Sequence, residues 1–498
     1  MMGPGGGKKR RLVLGALLFI ILLGQQARAD IDINPCNNIL DELRLGGDLH
    51  LFYRYSEDPL FGTPLPTNNS DNSSYGEVLS KLRLTGVKNV GWTTLEAQVG
   101  GAFMATMGAD FYGAFEDEVD VDLDTAYLAF MKPFSAPLDL KVGAQEIEIE
   151  KWFLVGSGRG QEAALWLQFH RSFPMAVKTD LFTESPLKAT MFWAQSQNYF
   201  QQWDQWDPGL APDAFGKDDV QVVGINLHLD ITAETPKACL LPAERYPRYP
   251  FGGATCTNFY LYGGYYRKFD DSGLLLPGFS PVEGQNYLSE NDTNAFDLGF
   301  DATFGGLNLE GEFVYEFGDA GELDGQNADR SAFGGFLGAT YTFDFPMKPY
   351  LKVRYTYYSG DDDLNDDDFN DFDPMFSGFL GWQTWVMGEI VGEAQLPNTN
   401  KRDILVETGF LPKEGIKLSL AYLHHELDQS YYGAPFVGRI PVTDRDWGHE
   451  LNLLADFDLH KNVFLHCGVG WATPEKAAEE IFGNDDSLFG QVWVWFKF

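Results

Sequence analysis

Hydrophobic and polar residues alternate with a period of two along most of this chain. In the stretch LGGDLHLFYRY (45–55), Leu45, Leu49, Leu51, Tyr53 and Tyr55 share one face, and Asp48, His50 and Arg54 share the other. In 306–318, Leu307, Leu309, Phe313, Tyr315 and Phe317 alternate with Asn308, Glu310, Glu312 and Glu316. In 349–358, Leu351, Val353, Tyr355 and Tyr357 alternate with Lys352, Arg354 and Thr356. Successive side chains of a β-strand point to opposite faces, so each stretch predicts a strand with one apolar and one polar face. Similar segments lie near 78–88, 93–103, 119–131, 138–149, 219–230, 257–268, 294–305, 331–344, 401–411, 416–426, 448–458 and 463–472, with weaker ones at 163–171 and 187–199. The chain reads as all-β.

Alternation by itself also fits a soluble sandwich with one wet face. Strand length and connection length favour a transmembrane antiparallel β-barrel. The strands run to about ten residues, which suits a tilted crossing of a bilayer. Short turns such as KNVG (88–91), GG (305–306), PKEG (412–415) and HKN (460–462) alternate with long polar loops. Such asymmetry is expected when tight periplasmic turns face extracellular loops. The final strand, FGQVWVWFKF, places Val492, Val494, Phe496 and Phe498 on one face. A last strand ending in an aromatic residue resembles the assembly signal of bacterial outer-membrane barrels. Counting by parity predicts about 18 strands, with 16 as the alternative. The loops at 56–75, 104–118, 150–162, 200–218, 269–293, 319–330, 359–400, 427–447 and 474–486 then share the extracellular side. The segment 231–256 falls on the periplasmic side, as an insert between two strands or a plug for the lumen.

The first 29 residues read as a secretory signal. Lys8, Lys9, Arg10 and Arg11 precede an apolar run from Leu12 to Leu23, and Ala27-Arg28-Ala29 offers a cleavage site. That run is too short to cross about 30 Å of hydrocarbon. The mature barrel is therefore assigned to 30–498. Its balance is 31 Lys+Arg against 72 Asp+Glu, a net charge of −41, which repels nucleic acid. Hydrophobic residues make up 44% of the chain, too many for a disordered polyanion. Among Cys36, Cys239, Cys256 and Cys467, the pair Cys239 and Cys256 flanks the insert and is expected to form a disulfide in an oxidising compartment. A pairing of Cys36 with Cys467 is left open.

No catalytic constellation is evident. There is no GxSxG, and VGSGRG (155–160) lacks both the lysine of a phosphate loop and dinucleotide-binding spacing. His424 and His425 are adjacent on a strand and point to opposite faces, and His449, His460 and His466 lack metal-ligand spacing. The acidic run SGDDDLNDDDFNDFDPMF (359–376) carries eight aspartates. As a calcium loop starting at Asp361 it fails, because Asp366 replaces the required glycine and Phe372 the bidentate glutamate. It reads as a solvated acidic loop. Trp203 and Trp206 read as an interfacial belt or loop packing. No metal or cofactor is expected.

The candidate functional residues are those the alternation turns inward, since charge on the lipid face costs about 2–4 kcal/mol per Arg or Lys at the midplane. They are Arg54, Lys81, Arg83, Lys141, Gln145, Glu310, Glu312, Lys352 and Arg354. Further acids at Asp48, Glu96, Asp120, Asp122, Asp124, Glu316, Glu407, Glu450 and Asp456, with Lys417, join them. They line a pore, fill the barrel as pairs, or do both.

The run KPYLKVRYTYYSGDDDLNDDDFNDFDPMF (348–376) resembles the bacterial alginate-export outer-membrane β-barrel family, in which a Lys-Pro strand leads to Ser-Gly-Asp, an acidic loop and Phe-Asp-Pro. AYLAFMKPFSAPLDLKVGAQEIEIE (126–150), LNLEGEFVYEFG (307–318) and WGHELNLLADFDLHKNVFLHCGVGW (447–471) are similar to other elements of that family. The resemblance implies an 18-stranded monomeric barrel in the outer membrane of a Gram-negative bacterium. It would pass an anionic exopolysaccharide outward along a basic lumen, with periplasmic export components as candidate partners. Ala144 stands where the family usually has arginine, and the inward acids outnumber the bases. Three readings follow: an exporter of a polysaccharide other than alginate, a diffusive porin for small cationic or neutral solutes, and a non-transporting surface scaffold or adhesin.

Overall fold

The computed structural model describes residues 31–32, 39–63, 72–109, 119–156, 172–196, 220–231, 257–270, 291–323, 326–363, 368–375, 391–396, 398–434 and 438–498. The signal segment, Cys36, Cys239, Cys256, Trp203, Trp206 and the segment 163–171 lie outside them, as does the insert apart from Ile231.

Eighteen strands follow one another antiparallel. They are β1 (Glu42–Glu57), β2 (Asn72–Asn89), β3 (Thr94–Ala109), β4 (Val119–Met131), β5 (Leu138–Ala144) and β6 (Met175–Leu181). Next come β7 (Leu187–Ser196), β8 (Val220–Asp230), β9 (Thr257–Asp270), β10 (Asn291–Phe304), β11 (Leu307–Leu323) and β12 (Gln326–Thr342). The last six are β13 (Tyr350–Tyr358), β14 (Lys401–Lys413), β15 (Ile416–Leu427), β16 (Asp446–His460), β17 (Val463–Pro474) and β18 (Ser487–Lys497). β18 returns to β1 with Asp48 opposite Lys497 and Glu57 opposite Leu488. The terminal strand therefore has no free edge, and its apolar row is not a template for aggregation. A helical turn, α1 (Lys476–Ile481), precedes β18.

Two neighbouring strands differ from the sequence reading. The sixth is Met175–Leu181, where the weak alternation at 163–171 pointed to an earlier position. β5 also ends at Ala144 instead of continuing to 149. Both differences have one cause: from Gln145 the chain leaves the wall, and it rejoins it where Gln145 bridges Phe173. The strand count is unaffected; the stretch 319–330, expected as a loop, instead extends β11 to Leu323 and opens β12 at Gln326.

The two ends differ. One rim carries short connections, such as Gly305–Gly306 and the Glu414–Gly415 turn; at Gly415 φ is +77°, a left-handed conformation that suits glycine. The other rim carries the long segments. Outward residues are apolar and exposed: Leu82, Val99, Leu298, Leu337, Leu453 and Val469 form part of a belt around the wall. Aromatic residues mark both margins. Trp92 stacks on Phe134 at 5.0 Å near the turn rim, and Phe296 on Phe317 at 5.5 Å nearer the loop rim. An apolar band between two aromatic girdles is the surface a lipid bilayer requires. The described residues contain no helix long and apolar enough to cross a membrane.

Candidate functional site

The opposite face of the same alternation builds the interior. Asp48, Arg54, Lys81, Asp124, Glu312, Glu316, Arg354, Glu407, Glu450 and Asp456 are all buried on the inner wall. Charges dominate there, and several are matched by a charge of opposite sign. Lys81 Nζ lies 3.0 Å from Asp124. Arg83 lies 3.4 Å from Asp48, whose other oxygen accepts from Trp495 Nε1 at 3.0 Å. Lys352 stands 3.7 Å from Glu310, and Lys417 stands 3.2 Å from Glu407. Arg54 donates to Ser56 at 3.1 Å and lies over the Phe489 ring at 4.7 Å. Lys141 sits over the Tyr127 ring at 4.2 Å. The side chains of Asp120 and Asp122 lie outside the described set.

Glu312 shows how the wall accommodates a buried carboxylate. Tyr262 of β9 reaches across Gly299 of β10 and donates its hydroxyl to Glu312 of β11 at 2.8 Å. A Cβ at position 299 would stand 2.1 Å from the Tyr262 ring, so only glycine leaves this route open.

The segment after β5 crosses the lumen. The sequence reading placed 150–162 among the extracellular loops; its described part, with the residues before it, instead turns inward. Glu146 meets Lys81 at 3.2 Å and Arg83 at 3.4 Å on the β2 wall. Glu150 accepts from Asn226 at 2.7 Å and faces His228 Nδ1 at 3.1 Å on β8. Lys151 reaches Asp301 of β10 at 2.7 Å and Glu310 of β11 at 3.1 Å. Phe153 stacks on Tyr358 of β13 at 5.4 Å. Ile147, Ile149, Leu154 and Val155 are buried in the same apolar cluster as Phe336 and Ala332. The tight bend comes from left-handed Glu150 (φ 49°) and Trp152 (φ 62°), closed by Trp152 N–H donating to Ile149 O at 2.9 Å. Burial by itself lowers the Lys151 pKa; Tyr260, Glu310 and Asp301 outweigh it and hold the pKa well above the usual lysine value. Gln145 opens this segment: its amide donates to the carbonyls of Lys141 at 3.1 Å and Ala176 at 3.3 Å, which fastens the departure point to the wall.

The acidic run is only partly solvated. Asp362, Asp363 and Asp368 are exposed, while Asp361, Asp371 and Asp373 are buried. Ser359 receives the Phe333 N–H at 2.9 Å and donates to Asn370 O at 2.6 Å. A Cβ on Gly360 would fall 2.0 Å from Asn400 Oδ1. Tyr431 donates to Asp371, and Asp373 pairs with Lys268 while accepting from Thr293 at 3.0 Å. Phe372 lies against Gly334, where a Cβ would be 2.4 Å from its ring, and 5.8 Å from Phe153. Burial raises the Asp373 pKa; Lys268 and Arg330 outweigh it and hold the carboxyl below its usual range. Serine, glycine and the Phe-Asp pair thus have a common purpose: they pull a rim segment down onto the inner wall and onto the crossing segment.

Lys151, Glu146, Glu150 and Phe153 were not among the sequence candidates. They stand outside any strand, so alternation carries no signal for them. The nearest hint was EIEIEKWF (146–153) itself, in which 146–149 was read as the end of a strand and 150–153 as the start of a rim loop.

An alginate-export family model matches residues 264–474. The Ser-Gly-Asp…Phe-Asp-Pro run and the segments at 307–318 and 447–471 lie within that range; the segment at 126–150 lies before it. No curated protein matches the chain in sequence. Among solved structures, OccK5 (OpdH) of Pseudomonas aeruginosa aligns at 10% identity over 92% of this chain and 98% of its own, with a TM-score of 0.50. A BenF-like porin of Pseudomonas fluorescens Pf-5 aligns at 10% identity over 93% and 100%, with a TM-score of 0.51. The fold is that of an outer-membrane porin. At such identity the likeness concerns the fold, and residue roles rest on the geometry above.

Proposed function

We propose that the protein is an outer-membrane conduit that passes a secreted saccharide polymer of low charge density. The long loops face the cell exterior and the short turns the periplasm. The observation that carries this reading is the charge-compensated lumen: Lys81, Arg83, Lys151, Lys352 and Lys417 each stand beside a carboxylate. A polyuronate gains little from cations already matched in this way, whereas a hydroxyl-rich neutral chain finds a wall of polar partners. The family match over 264–474 supports export of a polysaccharide, and Ala144 and the inner acids argue for one other than alginate. The chain acts as a monomer, with periplasmic export components as its protein partners and lipid around its belt. Arg54, Lys81, Arg83, Lys141, Glu310, Glu312, Lys352 and Arg354 line the path.

The crossing segment favours a second reading, a diffusive porin for small neutral or cationic solutes, because it narrows the lumen from β2 to β13. Planar-bilayer conductance with reversal potentials separates the two, together with surface-polysaccharide measurements in a deletion strain. Export fails on deletion under the first reading and continues under the second. Strong anion selectivity would overturn the low-charge assignment. Absence of conductance, with export intact on deletion, would leave a surface scaffold.

A further inference from the structure

We propose that His424, His449 and Asp446 form a binding site for one divalent transition-metal ion on the outer wall, next to the loop rim. The site is independent of the lumen and of the conduit reading. Strand pairing creates it. β15 and β16 run antiparallel with His424 opposite His449 and Glu426 opposite Asp446. Both histidines share the outward face with exposed Leu420 and Leu451, and their rings stack at 4.8 Å.

The ring nitrogens carry the argument. His424 Nε2 lies 3.1 Å from Glu426, and His449 Nε2 lies 3.4 Å from Glu475. A carboxylate only accepts, so a proton held at Nε2 toward Glu426 and toward Glu475 leaves each Nδ1 as a lone pair. Those two Nδ1 atoms face each other at 3.1 Å. Two lone pairs in that position repel unless a positive centre lies between them. Tyr422 offers its hydroxyl to His449 Nδ1 at 2.9 Å. Asp446 Oδ1 stands 3.8 Å from His424 Nδ1, buried and without a hydrogen-bond partner.

A metal ion satisfies all of these groups. Two nitrogens bound to one ion at about 2.0–2.1 Å, at angles of roughly 90–110°, stand about 2.8–3.4 Å apart. The carboxylate behind each ring is the arrangement that orients metal-bound imidazoles and raises their basicity. Two imidazoles and one carboxylate select zinc, copper or nickel over calcium or magnesium, which prefer oxygen alone. Among the described residues no three such side chains already converge on a common point. Binding therefore draws Asp446 inward by a side-chain rotation, and water completes the shell.

The test is calorimetric titration of the metal-free, folded, detergent-solubilised full chain with Zn²⁺ near neutral pH, repeated with Co²⁺ for its visible spectrum. The expected result is one ion per chain and a Co²⁺ spectrum showing nitrogen ligation. H449Q and D446N should weaken binding by at least about 10-fold, and E475Q by about 10–100-fold through the ring it orients. Glu475 is exposed at the loop rim, so E475Q remains informative if H449Q does not fold. The proposal is overturned if wild type binds no stoichiometric zinc, or if D446N and E475Q bind as tightly as wild type. It is also overturned if imidazole NMR signals report only a shared proton that zinc does not displace.

Discussion

Phe153 and Phe372 meet at a ring-centroid distance of 5.8 Å, and this contact joins two segments that leave the wall eight strands apart. Phe153 belongs to the segment after β5, and Phe372 to the segment after β13. Each also packs on Tyr358, at 5.4 and 5.2 Å. The constriction is thus one aromatic cluster fed from two sides.

Phe372→Ala should loosen both segments together. Truncating a fully buried phenylalanine costs about 3–5 kcal/mol where the surroundings cannot collapse. Expected outcomes are faster amide exchange across 145–156 as well as 368–375, and a larger, noisier single-channel conductance. Exchange confined to 368–375 would show that the two segments are not coupled.

Lys151→Met should open the lumen further and destabilise it. The variant leaves Asp301 and Glu310 without their shared ammonium; removing one partner of a fully buried pair costs about 3–5 kcal/mol, and these side chains are 14–20% exposed, so the loss is smaller. Two carboxylates then face the path. Reversal potentials should shift toward cation selectivity, and the folded barrel should melt at lower temperature in a gel-shift assay.

Gly299→Val should fail for a different reason. The new side chain would occupy the Tyr262 ring's place, 2.1 Å from its nearest atom, and take from Glu312 its 2.8 Å donor. Overpacking costs about 1–3 kcal/mol and the lost donor about as much again. The companion Tyr262→Phe should show the second loss alone, so its melting temperature falls between Gly299→Val and wild type.

The two inward segments should differ in pH response. Asp373 has a depressed folded-state pKa, so its contribution is present above the unfolded value of about 3.9 and is lost as pH falls through the folded one. Lys151 has a raised folded-state pKa, so its contribution is complete below about 10.4 and is lost as pH rises through the folded value. Hydrogen exchange should find 368–375 loosening first in strong acid and 145–156 loosening first in strong base, the other segment following through the Phe153–Phe372 contact, with both docked between. Release of either near neutrality would contradict these pairings.

The alternation in LGGDLHLFYRY and LNLEGEFVYEF was enough to set strand, face and strand count, because a period of two couples each residue's polarity to one side of a single wall. It placed Arg54, Lys81, Arg83, Glu310 and Lys352 inward without any knowledge of their neighbours. It carried 146–149 on as the end of a strand and gave 150–153 to a rim loop; what it could not show is that Glu146, Glu150 and Lys151 find their counter-charges across the lumen. The same holds for FNDFDP, whose buried acids are matched by Lys268, Thr293 and Tyr431 from distant strands. His424 and His449 follow the same rule: 25 residues separate them in the chain, and only antiparallel pairing sets them face to face. Local polarity determines which way a residue points. Closure of the sheet determines what it meets there, since charges from opposite walls become neighbours only once the wall has become a ring.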